Sequence, residues 1–479
     1  MLRISINRTC KSNTFFILLF PMNHKKLLEL ALRKGGDFAD LYLEQSLFHE
    51  IILRDGKVNA AGTNTDEGLG IRVVKGQNTG YAYTESSLPP DLEKAAKTAS
   101  YIASGKVASI VPAAITTLNL PNRYPILTPW DSFSPQKKMP YLYELNDLIF
   151  GADKRVKKVT ARLADSTSRI EYFNSLGIHC TDTRPLASLT VSCIMEENGR
   201  RETASASRSF RMGAEFLTPD IIRELAREVV TRTAFLFQAA QPRGGEMPVV
   251  MSAGSSGILL HEAIGHAFEA DFVRKNTSIF SEKMGKRICR PGITVVDDGT
   301  IPGNRGALNV DDEGVPGQKT YMVTDGILTS FLHDRISARY FNVSPTGNGR
   351  RESFRYMPLP RMRATYMENC TDSVESLIAS VKKGLYVDTF SNGQVQIGAG
   401  DFTFYVKSGY LIENGKLTQP VKDTNIIGNG PRALEMITGT GNDCRIDNGT
   451  WTCGKEQSCE VSCGMPSVLI SSLTVGGRL

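Results

Sequence analysis

Residues 257–266 read Gly-Ile-Leu-Leu-His-Glu-Ala-Ile-Gly-His, an apolar run that opens a helix and then delivers two histidines with a glutamate beside the first. Only six histidines occur among the 479 residues, so two in one short segment is a concentration of scarce chemistry. The pattern reads as half of a metal site. Where His-Glu-x-x-His lies on a helix, two imidazoles one turn apart hold zinc and the glutamate takes a proton from water. Here the spacing is one residue longer. On a regular α-helix it would set His261 and His266 roughly 140° apart in angle. A wider, π-type turn brings them to within about 50°, and such turns gather at functional sites. Gly265, just before His266, eases that distortion. A core helix whose two histidines bond to backbone is the plainer alternative.

Around this segment, Val249-Val250-Met251 reads as a short buried strand and Ser255 or Ser256 as a helix N-cap. A zinc site needs a third protein ligand and an open fourth position. The residues alone leave several candidates: Glu269 and Asp271 farther along the same segment, and Cys453, Cys459 and Cys463 near the C-terminus. The cysteine spacings match no CxxC ribbon, which argues against a separate four-cysteine site.

The chain resembles the TldD/PmbA modulator-of-gyrase proteins, peptidase family U62, in their metal-bearing TldD branch. The likeness rests on HEAIGHAFEADF at 261–272, VVDDGT at 295–300, DDEGVPGQ at 311–318, SPTGNGRRES at 344–353 and the CGK and LTVGG segments within 453–477. The PmbA branch lacks the His-Glu-x-x-x-His element that this chain keeps. The resemblance implies that Cys453 is the third ligand, so that His261, His266 and Cys453 hold one Zn2+ per chain. It implies a metallopeptidase in which Glu262, as general base, accepts a proton from the attacking water and passes it to the departing amine. His333, Arg350 and Arg351 lie in segments resembling the family's shared blocks and are weak candidates for substrate binding. Surface or interface charge is the plainer reading of those arginines.

The resemblance further implies a dimer, either a homodimer or a heterodimer with a PmbA/TldE-like subunit. It implies a β-rich, barrel-like C-terminal domain and a cleft that takes unfolded or extended peptides by strand addition. Two rival functions stay open. One is a non-catalytic assembly subunit of a protease complex; the other is a metal-dependent amidohydrolase acting on non-peptide amides.

Composition agrees with an ordinary globular protein: 41% apolar and 22% charged residues, with a net charge of +6. No basic cluster with interleaved aromatics occurs, so nucleic acid is not an expected partner, and no apolar run is long enough to suggest a membrane span. Nine cysteines, an odd and scattered set, form no disulfide framework and suit a reducing cytoplasm. Residues 1–21 carry Arg3, Arg8 and Lys11 and a short apolar run from Phe15 to Phe20. They are expected to be a disordered tail or an over-extended start rather than a secretory signal, because Pro21 ends the run and no cleavage site follows.

Farther along, His24 to Arg33 predicts an amphipathic helix, and segments 40–54, 57–63, 69–75 and 79–85 predict strands joined by turns such as Asp55-Gly56. Pro89-Pro90 opens another helix, and a Pro-rich loop at 111–136 precedes a helix near 137–152. Strands follow at about 155–210, with a turn at Ser175-Leu176-Gly177, and then a helix from Thr218 to Ala239. These divide the chain into a subdomain at 22–110, a middle subdomain at 111–240 and a C-terminal metalloprotease domain at 246–479. The fold class is α+β, an N-terminal α/β-meander region followed by the barrel-like domain with its metal-binding helix. Hairpin turns are expected at Asp325-Gly326 and Asn414-Gly415, and a strand at Val468 to Val475. Gly347-Asn348-Gly349-Arg350-Arg351 lacks the Lys-Ser/Thr ending of a phosphate loop and reads as a turn. The pairs Asp297-Asp298 and Asp311-Asp312 read as solvated turns or loop caps.

Overall fold

A computed structural model describes residues 22–102, 110–396 and 399–476, so the expectations for residues 1–21 lie outside the described residues. Near the N-terminus, helix α1 (His24–Leu32) is capped by Asn23, whose side chain accepts from Lys26 N. It precedes strands β1 (Phe38–Arg54), β2 (Lys57–Lys75) and β3 (Asn78–Thr84), and helix α2 (Pro89–Ile102). A short β4 (Thr116–Thr117) and helix α3 (Pro135–Ala152) lead to β5 (Val156–Asn174), β6 (Ile178–Glu197), β7 (Arg200–Phe210) and helix α4 (Pro219–Gln238). Asp55 and Gly56 take φ of 51° and 73°, the left-handed pair that a tight hairpin requires, and so join β1 to β2.

The segments expected at 57–63 and 69–75 form one continuous strand, β2. The residues between them, 64–68, pair with Phe48 through Glu44 of β1, so Asn64-Thr65-Asp66 extends the ribbon instead of turning it. Strands β3, β2, β1, β5, β6 and β7 make a single antiparallel sheet, with β4 joining β6 in parallel. The segments on either side of the Pro-rich loop therefore share one sheet, joined along β1 and β5 from Asp40↔Asn174 to Arg54↔Thr160.

The period-2 alternation of strand side chains gives this sheet two unlike faces. Ala39, Leu41 and Leu43, with Ile71 and Val73, pack on α1 and α2; farther along, Leu163, Leu189 and Val191 pack with Leu142, Leu225 and Val229 of α3 and α4. The alternate positions Asp40, Tyr42, Glu44 and Arg72 are buried as well, but against the C-terminal half. There Arg72 donates to Asp40 and to Glu313, and Arg184 donates to Asp312 at 2.6 Å. Asp311 and Asp312 are thus buried where the two halves meet and not solvated, while Asp311 caps its loop as expected, accepting from Glu313 N and Val315 N. Asp297 is also buried, accepting from Arg363 N, Thr365 Oγ1 and Asn348 Nδ2. Turn-forming residues look alike in sequence whether a turn faces water or another domain, and only the packing separates the two.

The C-terminal half is built on a closed five-stranded barrel. Strand β8 (Gly245–Met251) lies between Lys383–Val395 and Val468–Val475; the latter pairs with Thr424–Asn429, then Asp401–Glu413, which closes onto Lys383–Val395. Register shifts at Val387/Thr389 and Phe390/Asn392 supply the local bends that closure needs. The expected hairpins occur, with Asp325-Gly326 and Asn414-Gly415 both at positive φ. Beside the barrel, a six-stranded sheet includes Val295–Asp298, Ala364–Met367 and Ser462–Met465. Barrel and sheet residues share one buried cluster with Ile258, Leu259, Ile264 and Phe268 of the histidine-bearing segment, which fixes that segment rigidly in the core.

Candidate metal centre

Strand β8 ends at Met251 and the chain turns at Gly254, which takes φ of 88°. Neither Ser255 nor Ser256 caps a helix; they form a 3₁₀ turn (Ser255–Gly257) instead. Ile258–Leu260 is α-helical, His261–Gly265 is a π turn and His266–Phe268 is again 3₁₀. The π turn is the distortion that the five-residue spacing demands. It sets the two imidazole rings 5.0 Å apart, nearly perpendicular at 83°. At Gly265 a side chain would meet Met362 Sδ at 2.2 Å, which explains why the smallest residue stands there.

The third member arrives from far along the chain. Cys453 lies on a hairpin formed by Thr452–Lys455 and Gln457–Glu460, and Glu456 makes its turn with φ of 57°. One ligand atom from each of His261, His266 and Cys453 lies within 4.8 Å of the others, and all three residues are buried. Cys453 Sγ is 3.3 Å from His266 Nε2. Ligand atoms around a tetrahedral zinc stand roughly 3.3–3.6 Å apart, so this spacing suits such an ion. His261 Nδ1 is buried without a hydrogen-bond partner among the described residues. A buried, unpaired ring nitrogen is costly unless something binds it. Two imidazoles and a thiol, one ring nitrogen free and an acid close by, fit a borderline-soft divalent cation.

Electrostatics prepare the donors. Burial pushes the Cys453 thiol up, but His261 and His266 outweigh it and bring the pKa down to about 4, so the sulfur is a thiolate. For His266, burial opposes protonation, yet Glu269 and Cys453 raise it to about 10, so a cation binding at Nε2 must displace a proton from it. Glu269 Oε2 stands 2.9 Å from His266 Nδ1, fixing the ring's orientation and leaving Nε2 toward Cys453. Burial raises Glu269, but Lys455, His266 and Arg361 together pull it down to about 2.

Glu269 and Asp271, both open as ligands from sequence, are engaged by Lys455. Its Nζ is 3.0 Å from Glu269 Oε2 and 2.7 Å from Asp271 Oδ1. Arg361, fully buried, donates to the carbonyls of Cys453 and Gln457, each at 2.7 Å, and to Cys459 Sγ at 3.5 Å. These cations clamp the hairpin onto the histidine-bearing segment. Nothing in sequence reasoning marked Lys455 or Arg361, although Lys455 sits inside the CGK element itself. Cys459 and Cys463 are buried outside the three-residue cluster.

Glu262 keeps 20% of its side-chain surface, and its Oε2 lies 4.0 Å from His266 Nε2. It is the acid nearest the cluster with access to solvent. His333 lies elsewhere: it is buried, its Nδ1 is 3.3 Å from Ser337 Oγ, and burial lowers its pKa to about 4. Arg350 donates to the Met362 carbonyl at 2.7 Å, and Arg351 donates to the Asp312 carbonyl at 2.9 Å while stacking over Tyr42. Both arginines are buried between the halves and not on the surface. Gly349 and Arg350 form a short strand with Leu359 and Pro360, consistent with a structural turn.

A groove of about 450 Å³ is lined by Thr203 to Arg208 of β7, by Glu228 and Arg232 of α4, and by Ser255 and Trp451, in the segments that lead to His261 and Cys453. β7 pairs only with β6 along this stretch, so its other edge faces the groove. All eight cysteines among the described residues are free thiols. No helix there is long and apolar enough to cross a membrane.

Comparison with known proteins places this architecture. Residues 39–103, 128–234 and 244–477 match, in order, domain 1, the central domain and the C-terminal domain of the PmbA/TldA metallopeptidases. The chain is 39% identical to a metalloprotease TldD homolog of Haemophilus influenzae, over 97% of this chain and 98% of that one. It is 29% identical to a zinc metalloprotease TldD homolog of Saccharolobus solfataricus, over 94% and 99%. A crystal structure described as a modulator of DNA gyrase from Thermotoga maritima superposes with a TM-score of 0.76 at 22% identity, covering 94% of this chain and 98% of that one. TldE from Thermococcus kodakarensis superposes at 0.74 with 18% identity, covering 94% and 99%. The chain belongs to the PmbA/TldD metallopeptidase family.

Proposed function

We propose that this protein is a zinc-dependent metallopeptidase that cleaves unfolded or extended peptides, with Glu262 as general base and with His261, His266 and Cys453 holding one zinc ion per chain. The observation that carries this reading is the convergence of those three buried side chains, drawn from segments far apart in sequence, with one ligand atom of each within 4.8 Å of the others. A zinc ion bound there would polarise a peptide carbonyl and make a water molecule acidic enough to lose its proton near neutral pH.

The chain's own groups would do the rest. His261 and His266 present ring nitrogens, and the thiolate of Cys453 offsets part of the ion's charge. Glu269 holds His266 in one tautomer through Nδ1. Glu262, partly exposed, accepts the proton from water on its carboxylate and returns it to the departing amine nitrogen. An extended substrate would lie along the groove-facing edge of β7, displacing Arg232 and Arg208 from the Ser205 and Ser207 carbonyls, and backbone pairing there gives affinity with little demand on side-chain identity. The family's fold relatives include TldE, which supports a heterodimer with a TldE-like subunit as an alternative to a homodimer. A reducing, cytoplasmic setting suits the free thiols.

Replacing Glu262 by Gln tests the reading. Peptide cleavage should fall by about 10²- to 10⁴-fold while zinc content stays at one per chain. Unchanged cleavage with the metal retained would remove Glu262 from the mechanism. Zinc without cleavage of any peptide by the natural chain would favour the assembly subunit or the non-peptide amidohydrolase.

A further inference from the structure

Across the hairpin from Cys453, three buried arginines gather around a single carboxylate. Strand alternation sends Cys453 and Cys459, which face each other in register, to one side of the ribbon, and Thr452 and Glu460, the neighbouring pair, to the other. On that second side two connected cavities, of about 290 and 70 Å³, share Ser166, Leu186 and Glu460 between the N-terminal sheet and the C-terminal half. Arg211 and Arg350 line the smaller cavity and Arg305 the larger. Their residues are only 5%, 3% and 5% exposed.

Their donors are poorly matched by acceptors. Arg211 Nη2 and Arg350 Nη2 approach the same oxygen of Glu460, but only to 4.0 and 3.7 Å, beyond hydrogen-bond length. Arg211 Nε has no hydrogen-bond partner among the described residues, and the guanidinium lies 5.8 Å from the centre of the Tyr124 ring. Arg305 is bonded only to neutral oxygens, those of Trp451, Ser188, Ser209 and Thr452. The other charges nearby are already engaged. Asp312 is held by Arg184 and by Arg351 N, and Glu352 accepts from Ser458 N. Glu44 accepts from Phe354 N, and its burial keeps the carboxyl up at about 7. Burial, joined by the neighbouring Arg211 and Arg350 and only partly offset by Glu460, brings Arg305 down to about 10. Glu460 keeps 41% of its side-chain surface, so the gap between the guanidinium groups is reachable from water.

We infer that this interdomain cavity is a binding site for a small oxyanion, gripped by Arg211 from the central segment and Arg350 from the C-terminal half, with Arg305 adding charge. Guanidinium groups recognise carboxylate and phosphate alike through paired N–H donors. The site is separate from the three-residue cluster, since it lies on the other face of the ribbon. A ligand there would also bridge the two halves of the chain.

The test titrates the full-length protein with inorganic phosphate, with acetyl-Ala-Ala as its free acid, and with the same peptide as its amide, following binding by calorimetry at low chloride. Saturable binding of phosphate, of the free acid or of both is expected, and none of the amide. Phosphate alone identifies a phosphate site; the free acid alone identifies a carboxylate site. Arg211→Met and Arg350→Met should each weaken binding about 10- to 100-fold, as loss of one charge-assisted hydrogen bond does. Glu460→Gln removes the competing carboxylate and should tighten binding several-fold. It does not depend on an arginine variant folding. Absence of saturable binding by both anions overturns the inference, as does equal binding of the amide or weaker binding in Glu460→Gln.

Discussion

Lys455 Nζ lies 3.0 Å from Glu269 Oε2, and the same carboxylate oxygen stands 2.9 Å from His266 Nδ1. One buried acid therefore ties the hairpin that carries Cys453 to a ring on the π turn. The lysine of the C-terminal CGK element acts as the fastener that brings the sulfur within reach. Lys455→Met leaves Asp271 buried without its ion-pair partner and Glu269 with only His266 and Arg361, at a cost of about 3–5 kcal/mol. Denaturant unfolding should show that loss. Competition with a chelator should show zinc affinity falling about 10- to 100-fold, the range for loss of an outer-shell partner. Cys453→Ser sets the comparison: it should lose zinc by elemental analysis with a much smaller change in stability than Lys455→Met.

Gly257 opens the histidine-bearing segment with no room for a side chain. A Cβ there would lie 2.3 Å from the backbone nitrogen of Gly464, on the strand Ser462–Met465. Backbone cannot swing aside as a flexible side chain can. Gly257→Ala should destabilise the protein by about 3 kcal/mol or more, read as an earlier denaturant midpoint; a midpoint within error of the natural chain would show that helix and strand can separate at little cost.

Glu44 gives a pH dependence of known sign. Burial raises its folded-state pKa from the ordinary 4.5 to about 7. The stability it contributes is complete below pH 4.5 and is lost as pH rises through 7. Glu44→Gln keeps an oxygen to accept the Phe354 N–H and cannot ionise. The variant should therefore gain on the natural chain between about pH 4.5 and 7, by at most roughly 3 kcal/mol, and the difference should level off above that range. Unfolding curves across pH 4 to 8 check it; a gap that does not change with pH would contradict the assignment.

Substrate conformation supplies the last expectation. If peptides pair with the groove-facing edge of β7, a polypeptide must be extended to be cut. A small protein that can be unfolded by reducing its disulfides should be cleaved only in the reduced form. Equal rates on the native and reduced forms, read by mass spectrometry, would argue against strand pairing.

Much of this molecule was legible in residues read in order. The turn pairs Asp55-Gly56, Asp325-Gly326 and Asn414-Gly415 sit at the positive φ that their side chains tolerate, because that preference is local. The five-residue gap between His261 and His266 called for a π turn, and one is present, because helix geometry is local as well. Strand β2 was misread as two pieces. Its polar middle resembles a turn when seen alone, and pairing with β1 overrides that preference.

By itself, then, the sequence determined the chemistry on offer: two imidazoles on a distorted turn, an acid beside them, and a chain that folds as α+β. Only the tertiary structure decided which distant groups meet. Cys453, and not Cys459 or Cys463, stands beside His266; Glu269 and Asp271 answer to Lys455; and Asp311, Asp312 and Arg351 are buried where the two halves join. The physical reason is range. Backbone preferences act over a few residues and are written in order along the chain, whereas burial and ion pairing depend on surfaces that exist only once barrel and sheet have closed on each other.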